Sequence, residues 1–220
     1  GYMNSTVILK GNILYTPRPS EFISIQHGYI IAVDGVVVYC GESIPPAYAD
    51  CEVTDYGDNL IIPGFVDTHA HAPQYCNRGL GMDKELLPWL ETYTFPEEAK
   101  FSDLDYARLV YGAFVQDLWR NGTTRSILFG TIHKESTLVL MELLQKAGLS
   151  AYVGKVNMDR NSPEFLIEKT QQSLIDTKEW LDASLQFGPL VKPIITPRFV
   201  PSCTSELMSG LGKLAEEYNV

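Results

Sequence analysis

Apolar and polar positions follow two rhythms along this chain, and the change falls near residue 63. Over residues 4–62 the apolar runs are short and separated by turn formers. Val7 to Tyr15 reads as a strand, followed by the turn-rich Thr16-Pro17-Arg18-Pro19. The runs His27 to Val33 and Val36 to Cys40 flank Asp34-Gly35, a two-residue hairpin signal because glycine tolerates positive φ. Pro45-Pro46 closes this stretch, and residues 1–62 are expected to be a small all-β unit.

From residue 63 strand and helix patterns alternate. Leu60-Ile61-Ile62 is read as the apolar lead-in of a buried strand that ends in the polar cluster Asp67-Thr68-His69-Ala70-His71. Ser102, with Asp103 and Asp105 close behind, opens a helix that Asn121-Gly122 stops after Arg120. Then come a strand at Ser126 to Phe129, an amphipathic run from Thr137 to Lys146 stopped by Gly148, and a strand at Ala151 to Val156. A helix from about Pro163 to Ala183, a strand with its loop at Lys192 to Phe199, and a helix from Ser205 to Tyr218 complete the series. Four β/α units in succession imply a parallel sheet with right-handed crossovers. A complete (β/α)8 barrel takes roughly 250 residues, so residues 63–220 are expected to be the first half of a barrel in a longer polypeptide. A small open α/β sheet is the alternative, with no Gly-rich phosphate loop to make it a nucleotide binder.

Composition narrows the partners. Seventeen basic against 27 acidic residues give a net charge of −10, which argues against nucleic acid or an anionic membrane. No apolar stretch approaches the roughly 18 residues of a membrane span. Cys40, Cys51, Cys76 and Cys203 are scattered and form neither a zinc knuckle nor a disulfide framework, so free thiols in the cytoplasm are expected.

The candidate chemistry lies at the end of the first β/α strand. Residues two apart on a strand share a face, so His69 and His71, two of only four histidines, present both imidazoles to one side. Imidazole nitrogens suit zinc, and two of them make half of a metal site. Asp67 shares their parity and either orients an imidazole or caps the strand. His133 follows the second strand on the same end and is the weaker ligand candidate, set in a polar helix start. Gln74 offers a donor and an acceptor to a planar ligand. Arg198 can grip an oxygen and Phe199 can stack on a ring, although an ion pair and a core phenylalanine are the simpler readings of these two. The aromatic stretch Leu86 to Pro96 reads as a long loop placed to cover a site.

Pro63-Gly64-Phe65-Val66-Asp67-Thr68-His69-Ala70-His71 resembles the first-strand motif of the amidohydrolase superfamily. The continuation Ala72-Pro73-Gln74-Tyr75, together with Trp89 to Glu97, Gly154 to Asp159 and Thr196 to Cys203, resembles that superfamily's guanine deaminases, from about residue 7 onward. The resemblance implies a (β/α)8 barrel beside a composite β-sandwich and one zinc per subunit bound in part by His69 and His71. It implies that Gln74, Arg198 and Phe199 contact the purine, and that water replaces the exocyclic amine of guanine to give xanthine and ammonia. The remaining zinc ligands and the proton-shuttling Glu of that family have no counterpart up to Val220, so no catalytic acid or base is identified here and the segment alone is expected to be inactive. Other expectations are a different amidohydrolase acting on another nitrogen heterocycle, or a non-catalytic module. Exposed aromatics in long loops suggest a homodimer.

Overall fold

The computed structural model describes residues 5–220; the first four residues of the expected N-terminal β unit lie outside them. The chain divides into two compact units at Pro63/Gly64.

The first unit is a four-stranded sheet of β1 (Thr6–Arg18), β2 (Glu21–Val33), β3 (Val36–Gly41) and β4 (Val53–Ile61), in the order β3-β2-β1-β4. β2 runs antiparallel to both β1 and β3, and β4 runs parallel to β1. The β2–β3 turn takes the expected form: Asp34 at φ 52° and Gly35 at φ 81° are the two left-handed residues that a type I′ hairpin requires. β1 does not break at Thr16 but continues to Arg18. Its pairing with β2 slips between Tyr15 and Arg18, an irregularity that admits Pro17, which has no N–H for the ladder.

The second unit is an all-parallel sheet of β5 (Phe65–His71), β6 (Thr123–Phe129), β7 (Ser150–Asn157) and β8 (Val191–Pro197), hydrogen-bonded in chain order. Helical pieces fill the first crossover: a 3-10 turn at Ala72–Asn77, α1 (Leu86–Trp89), a π turn at Leu90–Thr94, α2 (Phe95–Ala99) and then α3 (Leu104–Arg120). The stretch expected to be a loop from Leu86 to Pro96 is therefore mostly helix. α4 (Lys134–Ala147) and α5 (Thr170–Ser184) fill the next two crossovers, and α6 (Ser205–Tyr218) follows β8. Consecutive right-handed crossovers put these helices on one face of the sheet. Tyr111, Leu140, Leu144, Trp180 and Leu207 from the helices bury against Leu128, Val153 and Val191 from the strands.

Several boundaries differ from expectation for local reasons. Leu60 and Ile61 belong to β4, and Leu60 is 66% exposed, so the lead-in is not the strand that carries the histidines. That strand is β5, an outer strand with Phe65 and Val66 exposed. α3 is capped by Asp103, not Ser102: its Oδ1 accepts the N–H groups of Asp105 (2.9 Å) and Tyr106 (3.2 Å). α5 begins at Thr170, later than Pro163, because residues 158–169 are held as a loop by two carboxylates. Asp159 accepts from Thr170 Oγ1 (2.7 Å), and Glu168 accepts from the Met158 N–H (3.1 Å). Among the described residues no helix is long and apolar enough to cross a membrane.

Candidate active site

His69 and His71 end β5 with their Nε2 atoms 3.2 Å apart. Two nitrogens bound to one tetrahedral zinc at about 2.0–2.1 Å stand about 3.3–3.4 Å apart, so the pair has the spacing of two zinc ligands. β5 is not a regular strand here. Its register against β6 slips by one residue between Asp67, opposite Ser126, and Ala70, opposite Leu128. Such a bulge re-aims side chains next to it. The Asp67 carboxylate straps this bulge by accepting the His69 backbone N–H at 3.0 Å. Asp67 thus holds the strand rather than an imidazole. Phe129, paired with His71 across the ladder, lies under both rings, 4.7 Å from His69 and 4.6 Å from His71 between centroids.

His71 is the more enclosed of the two. Burial first, then the Arg198 guanidinium and His69, push its pKa down to about 3, which keeps its imidazole neutral near pH 7. His133 does not join the pair. Its Nδ1 is hydrogen-bonded to Thr131 Oγ1 (2.9 Å) at the start of α4, and burial followed by the Lys155 ammonium lowers its pKa. Among the described residues no three His, Cys, Asp or Glu side chains converge as a metal site. His69 and His71 stand as a pair, two imidazole nitrogens without a third donor among the described residues.

Arg198, just past β8, reaches across to the same place. Its Nη1 donates to Glu98 Oε1 at 2.6 Å and to His71 Nδ1 at 3.1 Å. The Arg198 side chain is 6% exposed and that of Glu98 only 1%. Gln74, on the 3-10 turn after β5, donates from Nε2 to the Thr94 carbonyl (3.1 Å) and, more weakly, to Glu98 Oε1 (3.4 Å). Its Oε1 accepts from Asn77 Nδ2 at 2.8 Å.

These bonds fix what each group still has free. Both hydrogens of Gln74 Nε2 are used, leaving a lone pair on Oε1, an acceptor only. Both hydrogens of Arg198 Nη1 are used, leaving Nε–H and the Nη2 hydrogens, a donor fork. Gln74, Arg198, the two histidines, Phe129 and Phe199 line one cavity of about 400 Å3. Phe199 is 37% exposed at its rim. The arrangement can hold a metal on one side and a flat ligand with adjacent acceptors on the other.

Sequence reasoning passed over Glu98. Glu97-Glu98 early in a helix reads as a solvated acidic pair, and nothing local signals that Glu98 is buried. It also passed over Lys155, fully buried and ion-paired with Glu168 at 2.9 Å.

Residues 60–220 match the amidohydrolase family. Guanine deaminase from Dictyostelium discoideum is 54% identical over 166 residues, covering 75% of this chain and 37% of its own length. Guanine deaminase from Rattus norvegicus is 44% identical over 227 residues, covering 97% of this chain and 50% of its own length. A crystal structure of guanine deaminase from C. acetobutylicum with guanine bound in the active site superposes with a TM-score of 0.94. It is 50% identical, over 98% of this chain and 52% of that one. The chain spans about half the length, or less, of the relatives it matches.

Proposed function

This chain belongs to the amidohydrolase family, and from that premise we propose that the protein it forms part of hydrolyses guanine to xanthine and ammonia. The observation that carries this reading is the convergence of His69 and His71 in one cavity with the Arg198 donor fork and the Gln74 acceptor. The similarity to guanine deaminases supports the choice of substrate. We assign residues 1–62 to one part of a composite β-sandwich and 63–220 to the first half of a (β/α)8 barrel. A cytoplasmic homodimer with one zinc per subunit is the form expected to act.

His69 and His71, whose Nε2 atoms face one another at 3.2 Å, would hold the zinc. When bound, zinc supplies a water whose pKa falls from about 15.7 towards 7, a nucleophile at neutral pH. Guanine presents O6 and N7 as neighbouring acceptors, the pattern a guanidinium fork reads. The free Nε–H and Nη2–H groups of Arg198 serve that edge, and the free lone pair of Gln74 takes a ring or amine N–H. Phe199 lies against the purine face. The proton-transferring carboxylate and the other zinc ligands are assigned to sequence outside these 220 residues, so the segment alone is proposed to be inactive.

An ultraviolet guanine-to-xanthine assay, with released ammonia measured in parallel, tests the reading. The full-length protein and its His69→Ala/His71→Ala variant are compared with zinc quantified in each. Turnover in the parent and its loss together with zinc in the variant are expected. A folded, zinc-loaded parent without turnover on guanine would overturn the substrate and point to another nitrogen heterocycle.

A further inference from the structure

We propose that Glu98 is a positioning residue for the substrate: one buried carboxylate oxygen fixes both Arg198 and Gln74, locking them into a single purine-reading unit. The inference rests on the functional reading above. Glu98 Oε1 is the point where the two meet, 2.6 Å from Arg198 Nη1 and 3.4 Å from Gln74 Nε2. Those two groups reach it from opposite edges of the parallel sheet, Gln74 after β5 and Arg198 after β8. Without a common anchor, each would have its own rotamer freedom to lose when substrate binds.

The chemistry of the anchor favours this role over a purely stabilising one. Replacing a buried ion pair by apolar groups is often neutral or stabilising, so such a pair is weak evidence of a contribution to stability. Around the pair, Glu98 Oε2, Thr94 Oγ1 and Tyr111 Oη are buried without a protein hydrogen-bond partner. Burial raises the Glu98 pKa, against the opposing pull of Arg198 and Gln74. The local backbone fits too. Glu98 sits on α2 immediately after the Leu90–Thr94 π turn, where the Phe95 N–H reaches back to the Leu90 carbonyl. Single π turns recur at functional sites, since the extra residue rotates the helix beyond it. One turn later, Glu98 faces inward with Thr94, both fully buried.

The test is a double-mutant cycle in the full-length, zinc-loaded protein, using Glu98→Gln, Arg198→Met and the pair. Zinc content and thermal midpoint are measured beside kcat and KM for guanine. Glu98→Gln is expected to raise KM at least tenfold with a smaller fall in kcat and unchanged zinc. On the Arg198→Met background the same change should move KM clearly less than on the wild-type background, because only the weaker Gln74 contact remains to be lost. Should Glu98→Gln fail to fold, Glu98→Asp, which withdraws the carboxylate by one methylene, carries the same cycle. Equal fold-changes on both backgrounds, or no change in KM from Glu98→Gln, would overturn the positioning role. A wild-type protein that does not turn over guanine overturns the functional reading first, and is seen before any variant is compared.

Discussion

Arg198 Nη1 lies 3.1 Å from Nδ1 of His71, so side chains from the two outer strands of the parallel sheet meet above its C-terminal end. A flat sheet would hold β5 and β8 about 14 Å apart, three strand spacings, so the contact expresses strong curvature. It also fixes a proton. A guanidinium has only donors, so His71 Nδ1 must accept and the ring hydrogen lies on Nε2, pointing at His69 Nε2 3.2 Å away. That hydrogen sits where two ligands would share a metal.

A zinc held by His71, as proposed above, would compete with Arg198 for this ring. With Nε2 given to a metal, the ring hydrogen must move to Nδ1 and the Arg198 contact must open. A hydrogen bond from a charged donor is worth about 1.5–3 kcal/mol, so Arg198→Met should tighten zinc binding by about tenfold or more. Competition against a chelator of known affinity measures it; unchanged or weaker binding would refute the competition.

Loss of either imidazole should be far more costly to the metal. Partners outside the ligand shell change affinity about 10–100-fold, so His69→Ala or His71→Ala should weaken zinc binding by more than about 100-fold. Metal analysis after dialysis against chelator reads this directly, with circular dichroism to show that the fold is kept.

Asp159 joins the loops after β7 and β8. It accepts from Thr204 N (2.7 Å), Thr204 Oγ1 (2.5 Å) and Thr170 Oγ1 (2.7 Å). Burial alone would raise its pKa, but the Thr204 and Thr170 bonds outweigh that and lower it. The folded state then binds fewer protons than the unfolded chain, whose Asp titrates near about 3.9. The stabilisation is present above that pH and is lost as pH falls through the folded pKa. Asp159→Asn should cost about 1 kcal/mol at pH 7 and less at pH 3, as read by denaturant melts at the two pH values. An equal cost at both would refute it.

The Lys155–Glu168 pair is buried on both sides. Removing one member of such a pair typically costs about 3–5 kcal/mol, because the other charge is stranded. Lys155→Met should show a loss of that size. Lys155→Met/Glu168→Gln should be less destabilised than the single variant, since Gln keeps an acceptor for the Met158 N–H (3.1 Å) without the charge. A double variant less stable than Lys155→Met would contradict this.

Where local signals sufficed, the sequence was legible. Thr204, whose hydroxyl accepts the Leu207 N–H, and the amphipathic run behind it put α6 at its expected Ser205–Tyr218. Asp34-Gly35 announced its turn, and the spacing of His69 and His71 announced their convergence. What escaped depended on distant parts of the chain. Leu60-Ile61 is apolar enough for a core strand, yet it pairs in another sheet. Asp67 has the parity of a second-layer ligand, but a one-residue bulge turns its carboxylate onto backbone. Glu98 and Arg198 are far apart in the chain, and no local pattern foretells that an acidic helix residue will be enclosed by a partner so remote.

The bulged β5 has a consequence for assembly. Among the described residues it pairs only with β6, so the backbone groups along its other side face outward beside the two imidazoles. A strand that docks there would lengthen the sheet at the strand that ends in His69 and His71. Growth of the sheet at this margin therefore adds its new neighbour to the very strand whose end carries the two converging imidazoles.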